Sequence, residues 1–159
     1  MILVLLGTFK IEFSRPILAI ENAIKSWEIS EEIIVQAGHT AFKSDFMTIR
    51  AFIEPKELDN LYERAEIIVT HGGVGSILRG FRMKKKIIAI PRLHKFKEHV
   101  DDHQIDILEE FARLNYLIPW YEHDKFADVL AKARKFEPSP FVSTKKDLEG
   151  FLVNYIDNL

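Results

Sequence analysis

Short apolar runs rich in Ile and Val recur along this chain, and each is followed by a stretch with apolar residues at helical spacing. That alternation constrains the fold more than any other feature. Continuous apolar runs suit strands buried on both faces, and a period near 3.6 suits helices packed over them. The runs at 2–6, 32–36, 47–52, 67–70 and 86–90 predict five strands, with a short sixth at 116–118. The first helix is expected to be capped by Ser14, with Pro16 in its first turn and a buried stripe of Ile17, Ile20, Ala23, Ile24 and Trp27. Pro55 opens a second helix to about residue 65, with Leu58, Leu61 and Tyr62 inward. Further helices are expected at 75–83, 101–113, 124–136 and 144–156. Strands joined to helices by short turns predict an α/β fold, a parallel sheet with helices on both faces.

The 159 residues suit one compact domain, so 1–159 is expected to fold as a unit. A net charge of −2 supplies no overall basic field for nucleic acid. The chain has no cysteine, which excludes disulfides and thiolate metal sites and fits a reducing compartment. The apolar start, residues 1–6, lacks the basic leader of a signal peptide. No apolar run approaches the length of about 20 residues that a membrane span needs, so a soluble, cytoplasmic protein is expected.

In a parallel sheet, ligands sit beyond the carboxyl ends of the strands. The exit of the fourth strand is Thr70-His71-Gly72-Gly73-Val74-Gly75-Ser76. Glycines admit a ligand close to the backbone, and the N-terminus of the next helix offers unpaired N–H groups and a partial positive charge. The expected ligand is therefore a diphosphate, held at Gly72, Gly73, Gly75 and Ser76. The alternative is a tight strand–helix turn with no ligand. The dinucleotide fingerprint fails because Leu78 stands where its last glycine belongs, and a Walker loop fails because Phe81 stands where it needs Lys. Gly7-Thr8 and Gln36-Ala37-Gly38-His39-Thr40 follow the first two strands. A strand-end His such as His71 either satisfies backbone groups or contributes to catalysis.

The segment Glu98-His99-Val100-Asp101-Asp102-His103-Gln104 spaces two histidines four apart, as helical metal ligands can be. It matches neither H-E-x-x-H nor H-x-x-E-H. A solvated helix start is the bland reading. Sugar recognition is the sharper one, because Asp102, His103 and Gln104 supply donors and acceptors for hydroxyl groups.

Taken together, the 70–78 segment, Lys86-Ile87-Ile88-Ala89-Ile90-Pro91 and the 98–104 segment resemble the C-terminal domain of glycosyltransferase family 28. Within that family the likeness is to stand-alone donor subunits of dolichol-linked and exopolysaccharide synthesis. It runs in order from Met1 to about Phe111. The resemblance implies a Rossmann-like GT-B donor half that binds a UDP-sugar, with no cofactor and no metal. It implies that Gly7 and Thr8 face the diphosphate, that Phe52 and Ile53 lie by the uracil, and that His103 and Gln104 touch the sugar. His71 is the candidate catalytic residue of this chain. Arg79 departs from the pattern, since family members commonly place an acidic residue there against the ribose. The resemblance further implies a membrane-anchored partner that binds a lipid-linked acceptor and recruits this chain. A non-catalytic accessory subunit is the alternative. Leu148, Phe151, Leu152, Tyr155, Ile156 and Leu159 form an apolar stripe at helical spacing, suited either to the chain's own sheet or to that partner.

Overall fold

The structure, a computed structural model, describes residues 1–142 together with Gly150 and Val153. The elements run β1 (Ile2–Leu5), α1 (Arg15–Lys25), β2 (Ile33–Gln36), β3 (Thr48–Arg50), α2 (Pro55–Arg64), β4 (Ile67–His71), α3 (Val74–Arg82), β5 (Lys86–Ile90), α4 (His103–Arg113), β6 (Ile118–Pro119) and α5 (Phe126–Lys135). A single 3-10 turn, His94–Phe96, interrupts the loop after β5. The six strands form one sheet in the order β3-β2-β1-β4-β5-β6, and every neighbouring pair is parallel. The strand order reverses between β1 and β4, which is where such sheets open a crevice at their carboxyl edge.

Burial on both faces explains why the central strands are apolar without alternation. Ile2, Val4, Val69 and Ile88 face one core, shared with Ile17 and Ile20 of α1 and Val129 and Leu130 of α5. Leu3, Leu5, Ile68 and Ile87 face the other, shared with Leu61 of α2, Ile77 of α3 and Leu108 of α4. Fully burying one such side chain contributes about 2 kcal/mol, so the two layers hold the sheet edge that carries the site.

Three local expectations are corrected. Ser14 stands at the N-cap of α1 in a helical conformation and makes no capping hydrogen bond. Trp27 lies beyond the end of α1, at φ 59°. That left-handed residue turns the chain off the helical path, so its side chain is 93% exposed and not part of the buried stripe. The helix expected from 101 begins at His103: Asp102 accepts the His94 N–H of the preceding loop, and Asp101 accepts the His103 N–H at the helix start. The apolar stripe at 148–159 and the helix expected at 144–156 lie outside the described residues, apart from the helical Gly150 and Val153. Among the described residues no helix is long and apolar enough to cross a membrane.

Candidate functional site

A cavity of about 690 Å³ opens at the carboxyl edge of the sheet, where the strand order reverses. The exit of β1 contributes Gly7, Thr8, Phe9 and Lys10 to its wall, and the exit of β4 contributes His71, Gly73, Gly75 and Ser76. Gln36 from β2 and Arg92, His99 and Gln104 from beyond β5 complete the lining, with Leu5 below.

Strand β4 is extended as far as His71, and α3 starts at Val74 with Gly73 as its N-cap. The first turn of α3 closes with the Ile77 N–H on Gly73 O at 3.4 Å. The amides of Gly73, Val74, Gly75 and Ser76 therefore donate to no acceptor among the described residues. Four unpaired donors at a helix start favour an anion. A Cβ added to Gly75 would meet nothing within 4 Å, so open space lies directly over this turn. Gly72 does not belong to that donor set. Its N–H donates to Gln104 Oε1 at 3.1 Å, and the turn's available donors start one residue later.

The imidazole of His71 is wedged between Gly7 and Gly73, since a Cβ on either glycine would collide with the ring. Its Nδ1 is buried with no partner among the described residues. Burial, together with the charges of Arg92 and His99, pushes its pKa down to about 4. His71 is thus neutral near pH 7 and too weakly basic to take a proton efficiently there, but it can offer a hydrogen bond to a ligand.

Gln104 lines the cavity, yet its Oε1 is committed to two backbone amides, those of Gly72 and Arg92, the latter at 3.0 Å. Asp102 and His103 do not line it. Asp102 Oδ1 accepts from the His94 N–H at 2.8 Å, which fixes the 3-10 turn. His103 Nδ1 lies 3.2 Å from Asp101 Oδ2. Phe52 and Ile53 also stand outside the lining. Phe52 is 55% exposed beside His39, and the Ile53 N–H donates to Gln36 Oε1 at 3.0 Å.

Among the wall residues, Phe9, Lys10 and Arg92 escape a reading of motifs, and His99 enters that reading only as one of two histidines spaced four apart. Arg92 follows Pro91 at the exit of β5, so the strand-exit rule alone would have flagged it. His99 stacks on Phe9 with ring centroids 5.1 Å apart, and its Nδ1 lies 3.0 Å from Asp101 Oδ1. The Asp101 N–H approaches the same nitrogen at 3.4 Å, so the ring tautomer sets which of the two contacts forms. Burial raises the proton affinity of Asp101, but the His103 amide and the two neighbouring histidines outweigh it and hold the carboxyl below its usual range. Glu98 takes Arg15 in a two-point grip, at 2.9 and 2.7 Å, and accepts the Leu93 N–H. The loop after β5 is thereby locked to the start of α1. Among the described residues no group of three or more His, Cys, Asp or Glu side chains could hold a metal ion.

The strand order, the two covered faces and a cavity where that order reverses define a Rossmann-like α/β domain. A family model described as Glycosyltransferase family 28 C-terminal domain matches residues 1–157, and the chain belongs to that family. It is similar to proteins described as UDP-N-acetylglucosamine transferase subunit ALG13. The one from Candida albicans is 31% identical over 81 residues, 51% of this chain and 26% of that protein. The one from Yarrowia lipolytica is 28% identical over 116 residues, 72% of this chain and 56% of that protein. The chain therefore spans about a quarter and about half of these relatives. An NMR solution structure of ALG13 superposes with a TM-score of 0.59 at 17% identity, covering 96% of this chain and 94% of that one. The calicheamicin glycosyltransferase CalG4 gives 0.59 at 14% identity, covering 84% of this chain and 33% of that one. At these identities the two structures share the fold.

Proposed function

We propose that the whole chain, 1–159, is a single nucleotide-sugar-binding domain and serves as the UDP-sugar-binding subunit of a glycosyltransferase. The observation that carries this reading is the set of unpaired amides from Gly73 to Ser76 beneath open space in a cavity at the strand-order switch. The names of the relatives, which are UDP-N-acetylglucosamine transferase subunits, supply the donor class. In this reading a hexose or N-acetylhexosamine passes to a lipid-linked acceptor held by a membrane-anchored partner. The subunit works in the cytoplasm, is recruited to the membrane by that partner and is inactive alone.

Transfer breaks the bond between the anomeric carbon and the diphosphate oxygen. Negative charge grows on UDP, and preorganised amides aimed at that charge stabilise it. One such donor is worth roughly 3 kcal/mol in other enzymes. No cofactor enters this scheme. His71 contributes a neutral hydrogen bond, and the partner supplies the base for the acceptor hydroxyl.

Thermal shift tests the ligand class. UDP or UDP-N-acetylglucosamine at a hundred times Kd should stabilise the fold by about 2.7 kcal/mol, while NAD and GDP give much less. A response to NAD alone would reject the reading. A substitution sharpens the test. Gly75→Ala places a methyl group in the open space, so calorimetric UDP affinity should fall at least about tenfold. Stability should stay level or rise by about 0.5 kcal/mol, because the position is helical and unobstructed. Undiminished UDP binding by this variant would remove the turn from the site.

Arg79 favours a second reading. It pairs with Asp59 and lies over the Tyr62 ring, 4.3 Å from the centroid, so its side chain is engaged with α2. A non-catalytic accessory subunit would bind UDP-sugar with its partner present and release no UDP.

A further inference from the structure

The side chain of Arg92 has an unusual set of partners. It is 1% exposed and yet lines the cavity. Nη1 donates to Ile11 O at 2.8 Å and to Glu98 O at 3.1 Å, and Nη2 donates to Leu6 O at 2.9 Å. All three acceptors are neutral carbonyls. Nε is buried with no partner among the described residues. The nearby Glu98 carboxylate is already taken by Arg15 and by the Leu93 amide. The guanidinium lies over the Phe13 ring, 4.6 Å from its centroid, with Phe9 at 5.6 Å.

A buried cation without a carboxylate bonded to it is costly to a fold, and an anion placed nearby offsets that cost. The cavity beside it carries the other anion-favouring feature, the unpaired amides of α3. Leu6 immediately precedes Gly7, so the same guanidinium also fixes the turn that brings Gly7 and Thr8 to the cavity wall.

We propose that Arg92 is the buried cation of the donor-diphosphate subsite: it attracts the pyrophosphate charge through space while holding the Gly7-Thr8 turn in place. It is a positioning residue rather than a catalytic one, because Nη1 and Nη2 are committed to backbone carbonyls within the protein. The proposal rests on the UDP-sugar reading above and adds a residue and a ligand group to it.

Isothermal titration with UDP and inorganic pyrophosphate, and NMR titration with uridine, test this on Arg92→Met and Arg92→Lys. Arg92→Met should weaken UDP and pyrophosphate about 30-fold, the scale of one unit charge acting across several ångströms at the effective dielectric near a protein surface. Uridine, which carries no charge, should change less than about threefold. Arg92→Lys, which keeps the charge, should hold UDP within about fivefold. A folded Arg92→Met with wild-type UDP affinity overturns the proposal. So does an equal loss for UDP and uridine, which marks a purely structural role. Should Arg92→Met fail to fold, the wild type decides. Its Arg92 Nε–H resonance should move on saturation with UDP or pyrophosphate and not with uridine, and an unmoved resonance refutes the assignment. A wild type that binds neither UDP nor pyrophosphate rejects this subsite together with the nucleotide reading, an outcome distinct from a variant that leaves UDP binding intact.

Discussion

Replacing Gly38 by alanine is expected to destabilise the protein by about 3 kcal/mol, one of the two largest effects of the changes considered. Gly38 has φ +60°, where any side chain strains the backbone, and an added Cβ would overlap the carbonyl oxygen of Gly7. A backbone oxygen cannot swing away as a flexible side chain can. The Gly38 N–H also donates to Ala51 O at 2.8 Å, which ties the turn after β2 to the segment after β3. Relief would therefore push either the β1 turn that lines the cavity or the neighbouring loop. Left-handed strain accounts for roughly 1–2 kcal/mol of the total and overpacking for a similar amount. The melting temperature should fall by about 10 °C, as judged by circular dichroism, with a matching drop in the urea midpoint. A change below about 1 kcal/mol would mean that the two turns do not touch as described. Gly7→Ala, at φ +78°, makes an informative contrast, because its clash is with the His71 ring rather than with backbone.

The second large effect is a loss of stability in mild acid that traces to His71. Its pKa falls from the ordinary 6.5 to about 4 in the fold, chiefly through burial and then through Arg92 and His99. Between those values the unfolded chain binds a proton that the native state refuses. The contribution of neutral His71 is therefore complete above about pH 6.5 and is lost as pH falls toward 4. A shift of this size corresponds to about 3 kcal/mol. Urea denaturation at pH 7 and pH 4.5, on wild type and His71→Gln, reads it directly. The variant should lose most of the difference between the two pH values. The carboxylates held low in the fold, Glu21, Asp101, Glu110 and Glu122, lose their contributions as pH falls through and below their ordinary values of 3.8 to 4.5, at the acid end of this range, and the His71→Gln comparison separates them from His71. Equal pH dependence in the two proteins would show that the ring is not shielded from water.

The elements were largely readable from the chain because their signal is local. Lys86–Ile90 appears as expected, and the other described strands and helices fall within a few residues of their expected bounds. The misses have local causes too. The expected strand at 47–52 shrinks to Thr48–Arg50 at the sheet edge, where only β2 pairs with it. Trp27 fits the helical spacing, but the helix ends before it. The glycine corner at 72–76 was legible as a turn with close backbone approach. That the Gly72 amide is engaged while those of Gly73 to Ser76 are unpaired was not, since the engaging atom belongs to Gln104, 32 residues away.

Apolar periodicity and glycine placement by themselves determined that this chain builds a parallel sheet with a glycine-lined corner after its fourth strand. Those are properties of neighbours in sequence, and steric and hydrophobic rules act on them directly. Tertiary structure alone decided the charge state of His71, the inward commitment of Gln104 and the burial of Arg92 against the Leu6 carbonyl, a contact spanning 86 positions. Proton affinity and desolvation depend on what the fold gathers around a group, and no spacing along the chain encodes that.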